Sequence, residues 1–465
     1  MKTKFLLPIL LLSALSACSS NNKDTSLNSS DDSTFTGEFD DNNVIFSSAV
    51  ISDLHVGYKD ATVDNEERFA SALDSLKSFH DGDFDAVLSC GDNTQGGTKG
   101  EVEKVVDIYK TKMDIDKTPF VFSHGNHDTY WAGCMSTLEF YDAYGEDIYK
   151  YDLDQTQAKL GNRYIKINGI NIIALQMSKY MPNDNVLTNQ TEEWAKAKLD
   201  EATNENPNMP VIVLCHSPAK ETVYGSSSSD DCGDWGASVQ LGNILKDYPN
   251  VILFSGHTHY GITDDRNINQ STFTSINAGS VCDIDLDTSY PNTTELTNRR
   301  SYGNASILEI DKYGNSRINR YDIIKNKQIK KSWIVPSPKE DLSHLEKYNY
   351  DYRVENNSEP EFPENGTFIV KKSSTNTIEL EFDAFIDDDM VFAYEMRLFN
   401  YAKEDIVDDN DYALSYKVMD DWYNYPEGKT GKVNLITKTI YSTNYTIMLI
   451  AIDSFEGTTA IFPTA

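Results

Sequence analysis

The stretch Val44-Ile-Phe-Ser-Ser-Ala-Val-Ile-Ser-Asp-Leu-His55 sets the pattern for the first half of the chain, because an apolar run leads directly into a carboxylate and an imidazole. Four to eight residues rich in Val and Ile and bounded by polar residues are typical of a buried strand. Comparable short runs recur along the chain, at residues 86–90, 119–122, 170–175, 211–215 and 251–254. The sequence therefore predicts a set of strands that are buried on both faces.

The segments between these runs carry apolar residues at helical spacing. The first segment has Phe69, Leu73, Leu76 and Phe79 on one face. Two later segments repeat the spacing, with Val102, Val106, Tyr109 and Met113, and with Leu241, Ile244, Leu245 and Tyr248. Because alternating strands and helices are typical of βαβ units, we predict an α/β domain with a largely parallel sheet covered by helices.

The pattern changes after about residue 304, where apolar runs at 307–310 and 318–324 have no helical segment between them. We expect these extra strands to complete a first domain at residues 44–335. Residues 336–363 hold four prolines among many charges, a composition typical of an exposed linker between domains.

Strict alternation of apolar and polar residues marks the last hundred residues, as at Ile378, Leu380 and Phe382. Such strands keep one face in water. Short alternating strands separated by Asp, Asn and Gly turns predict a small all-β domain at residues 364–465, a sandwich of the immunoglobulin or fibronectin kind.

The N-terminus has the features of an export signal. A basic start precedes an apolar run at residues 5–15, which is too short to span a bilayer, so we predict a signal peptide at residues 1–17. The sequence Leu15-Ser-Ala-Cys18 resembles the bacterial lipobox, which implies a lipidated Cys18 followed by a flexible tether through residue 43. The expected location is extracytoplasmic, with the protein anchored to the cell membrane through Cys18; the alternative is an ordinary secretory signal with an incidental cysteine.

Charge and cysteine content limit the class of partner. Lys and Arg total 41 against 73 Asp and Glu, and the net charge of −32 repels nucleic acids and anionic membrane surfaces. No nucleic-acid binding is expected, and no basic patch attaches the protein to a membrane. Cys90 and Cys215 lie in apolar runs, whereas Cys134 and Cys232 lie in loop-like segments and their pairing stays open.

Polar residues with metal-binding chemistry follow five of the apolar runs. They are Asp53 and His55, then Asp92 after Gly91, then Gly125-Asn126-His127-Asp128, then His216, and then Gly256-His257-Thr-His259. Loops at the carboxyl ends of strands line the ligand crevice of an open α/β sheet, so we expect these side chains to meet. Imidazole and carboxylate ligands without thiolates suit Zn, Mn or Fe in an open site.

In this order the motifs resemble those of the calcineurin-like metallophosphoesterase family, over roughly residues 44–330. The resemblance implies a sandwich of mixed β-sheets flanked by helices, and hydrolysis of phosphate mono- or diesters by a metal-activated hydroxide. It implies two divalent or trivalent metal ions. One is held by Asp53, His55, Asp92 and His259, and the other by Asp92, Asn126, His216 and His257. His127 matches the acid that protonates the leaving group, and Asp128 is expected to orient its imidazole.

Other features leave alternatives open. The expected partner is a phosphorylated small molecule or a lipid headgroup, with Tyr130, Trp131, Tyr180 and Trp235 as candidate pocket walls. His124 fits a structural role better than a substrate contact, and His80 and His344 receive no role. The rival hypotheses are a surface binding lipoprotein with a vestigial phosphoesterase fold, and a solute-binding lipoprotein that serves a transporter.

Overall fold

The computed structural model describes residues 38–130, 133–178, 185–230, 232–285, 299–374, 377–424, 428–437 and 445–463. The predicted signal peptide and Cys18 lie outside the described residues. No helix in these ranges is long and apolar enough to cross a bilayer.

The first part of the chain contributes strands to two mixed sheets. Its strands are β1 (Val44–Ile51), β2 (Ala86–Ser89), β3 (Phe120–Phe122), β4 (Arg163–Ile167), β5 (Ile170–Leu175), β6 (Val211–Cys215), β7 (Val251–Ser255), β8 (Ile268–Gln270), β9 (Thr274–Asn277), β10 (Asn304–Asp311), β11 (Ser316–Asp322), β12 (Lys327–Gln328) and β13 (Trp333–Val335). One sheet has the order β12-β11-β10-β1-β2-β3, with β13 paired to β11, and the other has the order β4-β5-β6-β7-β9-β8. In the first sheet β1, β2 and β3 are parallel and extend to one edge, and β10 pairs with β1 and with β11 in antiparallel fashion. In the second sheet β5, β6, β7 and β9 are parallel, and the edge strands β4 and β8 are antiparallel.

Helices cover the outer faces of the two sheets. They are α1 (Asn65–His80), α2 (Lys99–Lys112), α3 (Asn126–Thr129), α4 (Thr137–Tyr144), α5 (Glu146–Tyr149), α6 (Gln155–Ala158), α7 (Asn189–Glu205), α8 (Val239–Leu245) and α9 (Tyr350–Asn356). The α1 helix begins where the Asp64 carboxylate accepts a hydrogen bond from the Glu66 N–H, and it buries Phe69, Leu73 and Leu76 as the spacing predicts.

Hydrophobic side chains fill the space between the two sheets and the space between each sheet and the helices that cover it. Residues of β1, β2, β5, β6 and β7 pack between the two sheets, with Phe46 and Phe254 among the largest. The outer layers hold α1 and α2 against the first sheet, and α7 and α8 against the second. This four-layer arrangement confirms the predicted α/β sandwich of mixed sheets flanked by helices.

The last part of the chain forms two antiparallel sheets. Its strands are β14 (Phe368–Ser374), β15 (Thr377–Asp383), β16 (Val391–Phe399), β17 (Leu414–Met419), β18 (Lys432–Ile436), β19 (Thr446–Asp453) and β20 (Thr458–Ile461). The strand orders are β14-β15-β18 and β17-β16-β19-β20. In β15 the alternating residues Ile378, Leu380 and Phe382 point into a core shared by both sheets. A small all-β sandwich is therefore present, as predicted.

The segment predicted as an exposed linker instead packs on the first part of the chain. Tyr348 and Gln270 exchange two hydrogen bonds, at 3.0 and 2.9 Å. From α9, the Arg353 guanidinium donates to the carbonyls of Asp265 and Ile268 at 2.7 and 2.6 Å. The prolines interrupt regular structure here, but polar side chains dock the segment by satisfying backbone groups. The boundaries at residues 336 and 363 stay predictions.

An apolar cluster joins the sandwich to the first part of the chain. Tyr224, Tyr260 and Ile284 pack there against sandwich residues that include Phe392 and Trp422. At its edges the Arg266 guanidinium stacks between the rings of Tyr224 and Phe392, at 3.7 and 4.1 Å. An interface of this kind resists separation of the two parts, because separation would expose aromatic surface to water.

We expect the two parts to unfold in one calorimetric transition because of this interface. Phe399→Ala, within the sandwich and away from the interface, should cost about 3–5 kcal/mol of stability and lower the temperature of that single transition. Trp422→Ala, of similar cost but within the interface, should separate the unfolding into two transitions. Scanning calorimetry makes the comparison, and two transitions in the unaltered protein would contradict the expectation.

Candidate metal centre

Strand ends bring the predicted ligands to one edge of the two sheets. Asp53, Asp92 and Asn126 follow the parallel strands β1, β2 and β3 of the first sheet, and His216 and His257 follow β6 and β7 of the second. Because the carboxyl ends of these strands meet at the same edge of the sandwich, the loops that follow them converge. The predicted clustering of the ligands is therefore a consequence of the strand order.

A glycine precedes the ligand in three of these motifs, and the structure shows why. A Cβ on Gly125 would lie 2.0 Å from Asp92 Oδ1, and one on Gly256 would lie 2.6 Å from Asp53 Oδ2. A Cβ on Gly91 would lie 2.8 Å from His216 Nδ1. Only glycine lets the backbone approach the carboxylates and the imidazole this closely.

Left-handed backbone conformations concentrate at the predicted ligands. Among the described non-glycine residues with positive φ are Asp53 (53°), His55 (46°), Asp92 (49°), His257 (72°) and His259 (56°). Such conformations are costly for residues with a Cβ and persist where the surrounding structure enforces them, as at ligand sites. The fold thus maintains strained loops in order to aim these side chains.

Four of the ligands form a compact group that fits one metal ion. One donor atom from each of Asp53, His55, Asp92 and His259 lies within 4.8 Å of the other three. The Nε2 atoms of His55 and His259 face each other at 3.4 Å, and His259 Nε2 is 3.1 Å from Asp53 Oδ1. Two imidazoles and two carboxylates converging on one point match the donors that Zn, Mn and Fe prefer.

The remaining predicted ligands surround the other side of Asp92. His216 Nε2 is 3.3 Å from Asp92 Oδ2 and 3.0 Å from Asn126 Oδ1. The His257 ring packs edge-on against His216 with the ring centroids 5.0 Å apart. Asp92 therefore stands between the two groups, in the position that a bridging carboxylate requires.

The second nitrogen of each of three imidazoles is tied to the protein. His216 Nδ1 donates to the Cys90 carbonyl at 3.0 Å, and His257 Nε2 donates to the Trp235 carbonyl at 2.6 Å. His259 Nδ1 donates to Asp283 Oδ1 at 2.7 Å. Such bonds fix the ring orientation and direct the other nitrogen toward a metal. Asp283 was not among the predicted site residues.

Burial and neighbouring charge set the protonation of the group. Burial lowers the pKa of His55 to about 4, and burial together with His216 lowers that of His257 to about 4. Burial opposes protonation of His216, but the Asp92 carboxylate outweighs it and raises the pKa of His216 to about 9. Burial acts against ionised Asp53, yet His259 holds its pKa below the usual range. The carboxylates and the neutral imidazoles of His55 and His257 are therefore ready to bind a cation, whereas His216 would release its proton when a cation binds.

His127 lies beside the group, but Asp128 does not have the role predicted for it. The backbone N–H of His127 donates to Asp92 Oδ1 at 2.8 Å, and the Nδ1–H of its ring donates to the Gln95 carbonyl at 2.9 Å. The Asp128 carboxylate instead accepts hydrogen bonds from Thr94 and from the Gly125 N–H. Consecutive residues of a helical turn point in different directions, so Asp128 fixes the loop and Gln95 orients the imidazole.

A cleft of about 380 Å³ opens over the group, with His127 in its wall. Of the four aromatic residues suggested as walls, Trp235 lines this cleft, Tyr130 lines a neighbouring pocket, and Trp131 and Tyr180 lie outside the described residues. Tyr58, Arg299 and Arg300 also line it and were not predicted. No sequence motif marks these residues, because they come from distant parts of the chain and meet only in the wall of the folded cleft.

His124 and His344 have structural surroundings. His124 is buried beside the rings of Phe122 and Phe140, where burial lowers its pKa to about 3. His344 is buried and donates to the Pro249 carbonyl at 2.9 Å. Cys134 and Cys232 are not joined by a disulfide bond.

Comparison with known proteins adds independent information. The model of the calcineurin-like phosphoesterase family matches residues 46–261. No curated protein matches the chain. Among the solved structures that match, 34 chains in all, is the exo-chitosanase CsxA of Amycolatopsis orientalis, at 9% identity and a TM-score of 0.17. That alignment covers 91% of this chain and 64% of the chitosanase chain, and likeness this low carries no argument about fold or function.

The family match starts within β1 and ends after the Gly256-His-Thr-His259 motif, so it spans all seven predicted ligands and His127. The mixed sheets and the metal-binding group described above lie in the same part of the chain. Residues 46–261 of this chain are therefore similar to the calcineurin-like phosphoesterase family in sequence, and they carry the candidate metal centre.

Proposed function

We propose that this chain hydrolyses phosphate mono- or diesters with two transition metal ions, on the outer face of the cell membrane. The observation that carries the proposal is the convergence of Asp53, His55, Asp92 and His259 with His127 beside them. A binding protein with a vestigial fold would have no need for an additional imidazole beside the predicted ligands, and the His127 ring packs edge-on against His55 with the ring centroids 4.5 Å apart. Five of the seven predicted ligands line one cleft, and the buried Asp53 and His216 lie beside them, which also favours an active centre.

Each ion would be held by one of the two groups, with Asp92 contributing to both. Asp53, His55 and His259 would complete the first site, and Asn126, His216 and His257 the second. When bound, two such ions supply a nucleophile at neutral pH and neutralise charge on the phosphoryl oxygens. Mn, Zn and Fe all suit this donor set.

His127 is suited to give a proton to the leaving oxygen. Its Nδ1–H is engaged by the Gln95 carbonyl, so the transferable proton is the one on Nε2. The hydrogen bond from the backbone N–H of His127 to Asp92 Oδ1 fixes the position of this residue beside the candidate metal centre. Departure of an alkoxide requires such a proton, whereas departure of an acidic phenol does not.

Turnover tests the proposal directly. The purified protein, loaded in turn with Mn, Zn and Fe, should release phosphate or alcohol from at least one of a phosphomonoester, a phosphodiester, a nucleotide and a phospholipid headgroup ester. A chelator should abolish that activity, and re-addition of metal should restore it. Full metal occupancy without turnover of any ester would favour the rival binding function.

The membrane location rests on Cys18, and Cys18→Ser should move the protein from the membrane to the soluble fraction. A surface cluster of polar or apolar side chains does not replace a covalently attached lipid, because stable membrane anchoring depends on acyl chains buried in the bilayer. Cys134→Ser, which alters another free thiol, should leave the distribution unchanged. Cell fractionation measures both, and Cys18→Ser protein that stays with membranes in high salt would contradict the prediction.

A further inference from the structure

A second pocket, of about 370 Å³, borders the metal centre on the side of α3 and β5. Leu175 pairs with Cys215 in the parallel register of β5 and β6, so Gln176 in the pocket wall and the ligand His216 are the next residues of adjacent strands. Adjacent strands lie about 4.8 Å apart. From the other side, Thr129 closes the pocket as the last residue of α3, the helical turn that begins at the ligand Asn126 and contains His127.

The described lining of this pocket carries no charged side chain, in a protein with a net charge of −32. Hydroxyl and amide groups predominate, and the thioethers of Met135 and Met177 with Leu160 supply the apolar part. The metal cleft next to it is lined by charged residues, including Asp283 and Arg299. The two cavities therefore suit different parts of one molecule: an anion in the cleft and a neutral group in the pocket.

One buried group in the wall of the pocket lacks a partner. Gln176 is 7% exposed, and its amide N–H groups reach the Met177 carbonyl at 2.6 Å and Thr129 Oγ1 at 3.5 Å. Its Oε1 has no hydrogen-bond partner among the described residues. A buried acceptor left unsatisfied is costly, so a rotation of the Gln176 amide that exposed Oε1 to a ligand hydroxyl in the pocket would be favourable.

We propose that this pocket receives the alcohol part of the substrate, and that the alcohol is uncharged and bears several hydroxyl groups, as in a polyol or sugar phosphate. The inference rests on the proposed hydrolysis. The leaving group departs on the side of the acid that protonates it, and α3 places that acid, His127, in the wall of the cleft and Thr129 in the wall of the pocket. The soluble monoester of a small polyol is the class that the lining recognises.

Variants that place a charge at residue 190, in the wall of the pocket, test this proposal. Gln190 is exposed at the second position of α7 and lines the pocket. Gln190→Glu is isosteric and places an acid where a helix N-terminus favours one, so folding is preserved. Gln190→Lys supplies the opposite charge. Gln328→Glu and Gln328→Lys, on exposed β12, reproduce both changes of net charge away from the pocket.

The substrates are three phosphomonoesters of similar size: glycerol phosphate with a neutral leaving group, phosphoethanolamine with a cationic one and 3-phosphoglycerate with an anionic one. The unaltered protein should show kcat/KM at least about 10-fold higher for glycerol phosphate than for either charged ester, a difference of about 1.4 kcal/mol. Gln190→Glu should raise the relative kcat/KM for phosphoethanolamine about 3- to 10-fold, and Gln190→Lys should do so for 3-phosphoglycerate, as expected for one charge at short range. Inhibition by inorganic phosphate, which needs only the metal cleft, should be unchanged, and the Gln328 variants should match the unaltered protein.

Equal turnover of all three esters by the unaltered protein, or an unchanged order of preference in both Gln190 variants, would overturn the role of the pocket while leaving hydrolysis intact. Absence of turnover for every ester by the metal-loaded protein would instead overturn the proposed hydrolysis, and the role of the pocket with it. The two failures are therefore distinguishable in a single set of assays.

Discussion

Asp92→Asn should abolish turnover of every phosphate ester and lower the metal content of the purified protein. The Asp92 carboxylate lies between both groups of ligands, 3.7 Å from His55 Nε2 and 3.3 Å from His216 Nε2. Removing even a residue that only orients a ligand costs about 10- to 100-fold in metal affinity, so loss of a shared ligand should exceed that range. Elemental analysis and an assay with one alkyl and one aryl ester provide the measurement.

Asp285→Asn is the matched control for this change. Asp285 lines the same cleft, and its substitution removes the same charge by the same isosteric replacement, but it pairs with Arg299 rather than with a predicted ligand. The control should keep both metals and most of its kcat. An Asp92→Asn protein with full metal content would show that Asp92 is not a shared ligand.

His127→Gln should retain both metals and slow an alkyl phosphate ester by about 10²–10⁴, the range usual for loss of a general acid. An aryl ester with a low-pKa phenol should slow much less, because its leaving group departs without a proton. The ratio of the two rates is therefore the informative quantity, measured together with metal content.

His124→Gln separates this effect from a general loss of structure. It removes a buried imidazole three residues earlier, which should reduce stability but slow both esters by the same factor. Equal slowing of the two esters in His127→Gln, or a loss of metal from it, would rule out the leaving-group role.

Several elements of the fold could be predicted because their signals are local. The apolar runs at residues 44–51, 170–175 and 211–215 coincide with strands β1, β5 and β6, and the helical spacing from Phe69 to Phe79 lies within α1. The division of the strands into two mixed sheets followed only from the family resemblance, since periodicity does not determine which strand pairs with which. Docking of residues 336–363 was missed because proline content reports on local conformation and not on long-range contacts.

The sequence likewise allowed some residues of the candidate site to be predicted and not others. Ligands that sit directly after strands were identifiable from chemistry and order along the chain. Gln95 and Trp235 were not, because they contribute backbone carbonyls, whose position no side chain reveals. Asp128 was predicted to orient the His127 ring because the two residues are adjacent in sequence. The helical turn that contains both instead directs the Asp128 side chain to the Gly125 N–H.

The glycines before the ligands restrict how this centre can change through mutation. Every replacement of glycine by another amino acid introduces a Cβ, and at Gly125 that atom would lie 2.0 Å from the Asp92 carboxylate. A Cβ on Gly256 would lie 1.9 Å from Ser52 Oγ. No conservative first step therefore exists at either position. New substrate preferences should accordingly arise by substitution in the surrounding cleft and pocket, while the backbone beneath the ligands stays fixed.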